Sequence, residues 1–145
     1  MQLVDTKLVL VLTYLAFTLP VSLYMLGNYF RTIPAEIEES AMIDGCTRTG
    51  VIWRVIIPLS GPALVAVFIY AFMIAWNEYL FALVFLISPE KLTLPRGLAE
   101  LFNTQHYIWG RMMAASLLTA VPVVSLFLAL ERFMTAGLTV GGVKE

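Results

Sequence analysis

What this sequence has little of narrows it first. Among 145 residues there is one cysteine, Cys46, and one histidine, His106. A single thiol excludes an internal disulfide and any multi-cysteine metal site, and a single imidazole excludes a histidine metal cluster. Charge is scarce as well. Charged residues make up 13% of the chain, against about 25% in an average globular protein. The net charge of −1 gives nucleic acid no basic surface to bind. No G-x-x-x-x-G-K-S/T phosphate loop occurs, which excludes ATP binding by that route. No G-x-S-x-G, H-E-x-x-H or Cys–His–Asp set occurs either, nor any internal repeat or low-complexity run. An enzyme has no residues here to work with, and no cofactor or metal site is expected.

What is present is apolar length. Hydrophobic residues are 60% of the chain and the mean hydropathy is +0.86. Three segments reach the roughly 20 apolar residues that a bilayer requires: 8–30, 63–87 and 112–134. The first has no charge, the second carries only Glu78, and the third is uncharged as far as Leu130. The first is too long, and lacks the small-residue cleavage site, to read as a signal peptide. The expected fold is therefore all-α, a polytopic membrane helical bundle. Pro20 and Pro122 fall in mid-span, where a missing backbone donor predicts a kink. Ala71 and Ala75, and Ser116 and Ala120, lie four apart, which lets helices approach closely in lipid.

Between the first two spans lies the longest polar interruption, 31–62. It carries four of the ten acidic residues: Glu36, Glu38, Glu39 and Asp44. Pro34 suits a first helical turn, and the glutamates behind it complement the positive end of the helix dipole. Gly45 is placed to end that helix. Thr47 or Thr49 could cap a second one, with Val51, Ile52, Val55 and Ile56 on one side. Pro58, Gly61 and Pro62 are expected to break it before the next span. Each helix is too short to bury its apolar side alone, so a partner or the membrane surface must cover it.

Glu78, with Asn77 before it, sits just past the middle of the second span. A carboxylate there costs roughly 2.5–3.5 kcal/mol on insertion scales, so it must face protein or water. It reads equally as a pathway-lining or gating residue and as a buried hydrogen bond that fixes packing; Asn77 reads more naturally as packing. On the other side, 88–111 is a polar loop, with a short helix expected over 98–102. Its residues Phe102, Asn103, Gln105, His106, Tyr107 and Trp109 fit a contact surface for a soluble partner, or an aromatic belt at the headgroups. The tail 135–145 is short, glycine-rich and polar.

The insert resembles the signature loop of the inner-membrane permease subunits of bacterial ABC importers: E-A-A, three residues, G, nine residues, I-x-L-P. Glu39, Ser40 and Ala41 stand at E-A-A, Gly45 at the glycine, and Val55, Ile57 and Pro58 at I-x-L-P. Ser40 departs from the usual alanine but is small. Other stretches are similar to the carbohydrate branch of that family: Ile33-Pro34, Asp44-Gly45, Trp76-Asn77-Glu78 for its W-N-D/E, Leu94-Pro95 with Gly97-Leu98, and Gly137 to Lys144 for its G-x-T-x-G-x-x-K ending.

The resemblance implies a MetI-like permease in the bacterial inner membrane, with a second permease subunit, two cytoplasmic ATPase subunits that bind the ATP, and an extracytoplasmic solute-binding protein as partners. The E-A-A loop would form coupling helices seated in an ATPase cleft, with Glu39 pairing an ATPase arginine and Gly45 making the turn. The insert and C-terminus would be cytoplasmic and 88–111 outside; positive charges, five inside and four outside, favour this only slightly. Family members carry about six spans and this chain matches the last three. A truncated frame is the expectation, with a first half on a separate chain as the alternative. A carbohydrate is the expected solute; another binding-protein-delivered solute, or a membrane scaffold without transport, are the alternatives.

Overall fold

In the computed structural model, residues 4–102 and 108–139 are described, with side chains as far as 133. Seven α-helices follow one another, and no strand occurs among the described residues. They are α1 (Lys7–Phe30), α2 (Ala35–Ile43), α3 (Arg48–Leu59), α4 (Gly61–Asn77), α5 (Leu80–Phe85), α6 (Leu94–Phe102) and α7 (Trp109–Thr139). A 3-10 turn covers Pro89–Lys91. Asn103, Gln105, His106, Tyr107 and the tail beyond Thr139 lie outside the described residues.

The all-α expectation holds. Lys7–Phe30 and Trp109–Phe133 are each long and apolar enough to cross a membrane. Leucine, valine, phenylalanine and alanine dominate both, and a helix satisfies every backbone group within itself, as lipid demands. Pro20 and Pro122 lie inside these helices and end neither. The third candidate differs from expectation. It is a pair, Arg48–Leu59 and Gly61–Asn77, bent by 71°. The helix that begins at Gly61 stops at Asn77 instead of running on to Ile87. At 17 residues and about 1.5 Å per residue it is about 25 Å long, slightly under the hydrocarbon thickness of about 30 Å.

Two other boundaries move. In the expected loop 88–111, α6 begins at Leu94 rather than at 98, since Pro95 fits a first helical turn. α7 continues through Gly137 to Thr139, into what composition marks as polar tail. One interior glycine costs a helix only about 1 kcal/mol.

The chain forms two compact units. One comprises the described residues among 1–19 and 71–129. Its core is Leu10, Ala82 and Leu86, with Val9, Tyr14, Phe81 and Phe85 packed around them. The other comprises residues 20–70 and, of the described residues, those from 130 on. Its core is the inner face of the α2–α3 hairpin: Ala41, Val51 and Ile56, with Ile33, Cys46 and Val55 against them.

Candidate functional site

The hairpin is built by its caps. Pro34, extended at φ −61° and ψ 138°, stands immediately before α2, one position earlier than a first-turn proline. Its fixed φ directs the chain into the helix without needing a donor. At the far end the Gly45 N–H bonds the Met42 carbonyl and the Cys46 N–H bonds the Ala41 carbonyl, both at 3.0 Å. This is a complete Schellman closure, which requires a left-handed residue at its centre. Gly45 supplies it with φ 87°. A Cβ there would meet nothing within 4 Å, so conformation alone selects glycine. Cys46 then turns inward beside Ala41, the apolar contact that accompanies this closure.

Thr47, not Thr49, caps α3: its hydroxyl accepts the Gly50 N–H at 3.2 Å. Pro58 does not break α3. Proline lacks an N–H, and its ring crowds the carbonyl four residues back, here that of Arg54. The turn ahead of it, Ile52–Ile56, widens to π geometry, and the Ile57 N–H reaches back to the Ile52 carbonyl. The helix therefore passes through Pro58 and ends at Ser60, where the 71° bend falls. Side-chain and backbone bonds hold the elbow at Leu59 and Ser60. Ser60 is buried, its N–H and hydroxyl both reach the Ile56 carbonyl at 2.9 and 2.7 Å, and the Tyr29 hydroxyl donates to the Leu59 carbonyl at 3.2 Å.

These caps sort the motif residues. Ala41 is buried, and Val55 packs against the hairpin core. Ile57 is half-buried, while Glu39, Ser40, Asp44, Gly45 and Pro58 are exposed. The Ser40 hydroxyl is spent on the Ile37 carbonyl at 3.0 Å. Ile52 does not join Val51, Val55 and Ile56 in the core but faces outward. A surface groove of about 410 Å³ runs between the helices, lined by Glu38, Met42, Arg48, Val51, Ile52 and Ile56. Beyond it the hairpin holds large apolar side chains in the open: Ile43 is 86% exposed and Trp53 72%. Sequence reading did not single these two out. The available signal was their phase, off the stripe set by Ala41, Val51 and Ile56.

The other unit places Glu78 at the break between α4 and α5. One carboxylate oxygen accepts the Phe81 N–H at 2.7 Å, and the other accepts the Ala82 N–H at 3.1 Å and the Tyr14 hydroxyl at 2.9 Å. Glu78 thus serves the open N–H groups of α5 and fastens it to α1. Asn77 is exposed and donates to the Met73 carbonyl one turn back at 2.8 Å. It borders a cleft with Trp76, Leu98, Ser116 and Thr119, and the Trp76 indole N–H donates to the Thr119 carbonyl at 3.2 Å. Among the described residues no group of three or more His, Cys, Asp or Glu could hold a metal ion.

Residues 2–136 match the family described as the inner membrane component of binding-protein-dependent transport systems. The chain belongs to that family. This family member is 55% identical over 140 residues to the inner membrane ABC transporter permease protein YcjP of Escherichia coli (strain K12), covering 97% of this chain and 50% of that one. It is 40% identical over 143 residues to the trehalose/maltose transport system permease protein MalG of Thermococcus litoralis, covering 97% and 51%. It is 39% identical over 144 residues to the arabinooligosaccharides transport system permease protein AraQ of Halalkalibacterium halodurans, covering 99% and 51%. The chain spans about half the length of these relatives. It is MetI-like in fold, with helices apolar enough to cross a membrane.

Proposed function

We propose that this chain forms part of the translocation pathway of a binding-protein-dependent ABC importer for a carbohydrate. Its α2–α3 hairpin is the element that docks on a cytoplasmic ATPase subunit. The observation that carries the docking role is the hairpin itself. Caps at Gly45 and Thr47 hold two short helices rigidly together, and they present Met42, Ile43, Ile52 and Trp53 as exposed apolar side chains. Exposed apolar side chains grouped on a rigid element mark a partner surface, and a short helix laid in a groove is a recurrent docking mode. Glu39 and Asp44 are exposed on the same hairpin and free to meet a cationic partner residue. The carbohydrate assignment rests on the relatives, whose names state trehalose/maltose and arabinooligosaccharides.

On this reading ATP is bound and hydrolysed by the ATPase subunits, and this chain performs no chemical step. A second permease subunit completes the pathway and an extracytoplasmic binding protein delivers the solute. Closure of the ATPases would move the hairpin, and the bonded elbow at Ser60 would pass that motion to α4. The test is co-purification from membranes. The ATPase subunit should accompany the wild-type chain and be lost with Gly45→Pro or with Trp53→Asp, while the variant chain stays in the membrane. Retention of the ATPase by both variants would refute the docking role. Uptake measured over a panel of sugars, with polyamine and peptide controls, tests the solute class.

A further inference from the structure

We infer that residues 80–102 form a flap hinged at Glu78–Tyr79, and that Asp5 is the positioning residue that latches it. α5 has only six residues. It is severed from α4 by the break at Glu78–Tyr79, and the chain after it is non-helical through Ser88. α6 travels with it, because the Arg96 guanidinium donates to the carbonyls of Ala82 and Leu86 at the open C-terminal end of α5. Cations suit that end of a helix dipole. Hinge, short helix and α6 therefore make one piece.

Polar ties join this piece to the first span and to the residue pair before it. Near the hinge the tie is one hydroxyl, Tyr14 to Glu78. At the far end it is Asp5. The Asp5 carboxylate accepts the Ile87 and Ser88 N–H groups at 2.9 Å, the Ser88 hydroxyl at 2.6 Å and the Lys91 ammonium at 2.8 Å. Its carbonyl also takes the Lys91 ammonium, and its N–H donates to the Phe85 carbonyl. Asp5 makes these bonds at φ 63°, a left-handed conformation that most residues with a Cβ avoid and that aspartate tolerates better than most. Such a conformation persists where the surroundings over-determine it, and six bonds to one short segment do so. The Lys91–Asp5 pair is partly exposed, so water competes for it, whereas the Ala82 and Leu86 contacts beneath are fully buried.

Between the flap and the first span lies a partly open, mainly apolar cleft of about 350 Å³. Leu10 and Tyr14 of the first span, Trp76 of α4, and Leu86, Leu92 and Thr93 of the flap are among the residues that line it. The cleft already has an open mouth, while the Thr93 hydroxyl at its flap side is buried, and release of Asp5 lifts the flap and exposes that position to water. The inference does not depend on which solute is carried, or on ATPase docking, since its readout is chemical accessibility.

Thr93→Cys is the reporter. The Thr93 hydroxyl is buried and makes no hydrogen bond, so a thiol of nearly the same size fits. The protein is taken in nanodiscs with Cys46→Ser, which removes the one native thiol, and is treated with a water-soluble methanethiosulfonate reagent. Asp5→Asn should raise the modification rate of Thr93→Cys by about tenfold, the scale of losing a charge-assisted bond. Lys91→Met should raise it less. The rate at Thr49→Cys, in the hairpin, should not change. An unchanged Thr93→Cys rate in Asp5→Asn overturns the latch. If Asp5→Asn also alters the helical circular dichroism, Lys91→Met decides, and an unchanged rate there overturns it equally.

Discussion

Tyr14 and Glu78 are 64 positions apart in the chain, and the Tyr14 hydroxyl lies 2.9 Å from the Glu78 carboxylate. The same carboxylate caps α5. The break in the apolar 63–87 segment is thus a bonded structure in which one carboxylate replaces the carbonyls that a continuous helix would have offered. Glu78→Ala leaves the Phe81 and Ala82 N–H groups without that acceptor. It should lower stability by about 1–3 kcal/mol, and Tyr14→Phe by about 1 kcal/mol. Denaturant unfolding in mixed micelles measures both. A Glu78→Ala midpoint equal to wild type would show that water serves the break as well as the carboxylate does.

Gly45 is selected by backbone conformation, not by space. Gly45→Ala should therefore cost about 1–2 kcal/mol, although a methyl group there touches nothing. Gly45→Asn should cost less, because asparagine tolerates the left-handed region. Should alanine and asparagine prove equally mild by thermal unfolding, the closure is not set by φ.

The hairpin caps and the exposed hairpin side chains should separate cleanly. Thr47→Ala removes a helix cap and should destabilise by about 1 kcal/mol. Ile43→Ser and Trp53→Ala, at open positions, should stay within about 0.5 kcal/mol of wild type and yet weaken ATPase co-purification. Paired melting and pull-down measurements on the same preparations distinguish the two classes.

The Asp5 clasp should ignore mild acid. The Lys91 ammonium first, then the Ser88 hydroxyl and the Ser88 and Ile87 N–H groups, hold the Asp5 carboxyl well below the usual carboxylate range. A depressed folded value adds stability that is complete above the unfolded value, about 3.9, and lost as pH falls toward the folded one. The difference in unfolding midpoint between wild type and Asp5→Asn should be flat from about pH 8 to pH 5 and shrink only below about pH 4. A difference that collapses at about pH 5–7, above the unfolded value, would mean that the carboxylate is not held in this way.

The hairpin was largely legible in the sequence because its determinants are local. Pro34, Gly45 and Thr47 each act on their own backbone within a few residues, and their spacing states the outcome. Pro58 misled because its two defects, no N–H and a crowding ring, can be met either by ending a helix or by widening one turn, and composition does not choose. Glu78 was legible as a pathway residue or a packing hydrogen bond, but its partner Tyr14 is brought to it only by folding, and its role as a cap shows only once the apolar segment is seen to break beside it. Asp5 carried no signal in a short polar lead. Its partners lie more than eighty positions away, and its left-handed φ is a tertiary consequence. Ile43 and Trp53 resemble core residues by type, and their phase off the Ala41, Val51 and Ile56 stripe is the local sign that they lie outside.

The widened turn at Ile52–Ile56 has a consequence for length as well as shape. A π turn is an α-helix carrying one surplus residue. Deleting one residue there would let the turn relax to α geometry with the helix on either side keeping its faces, whereas deleting one from Ile57–Leu59, which has no surplus to absorb the loss, would rotate the upstream part of the hairpin by about 100° about the helix axis relative to the residues beyond. The face bearing Trp53 would then point elsewhere while every cap and core contact type remained in the sequence. Between Ile57 and the elbow at Ser60, the chain is therefore counted as strictly as it is spelled.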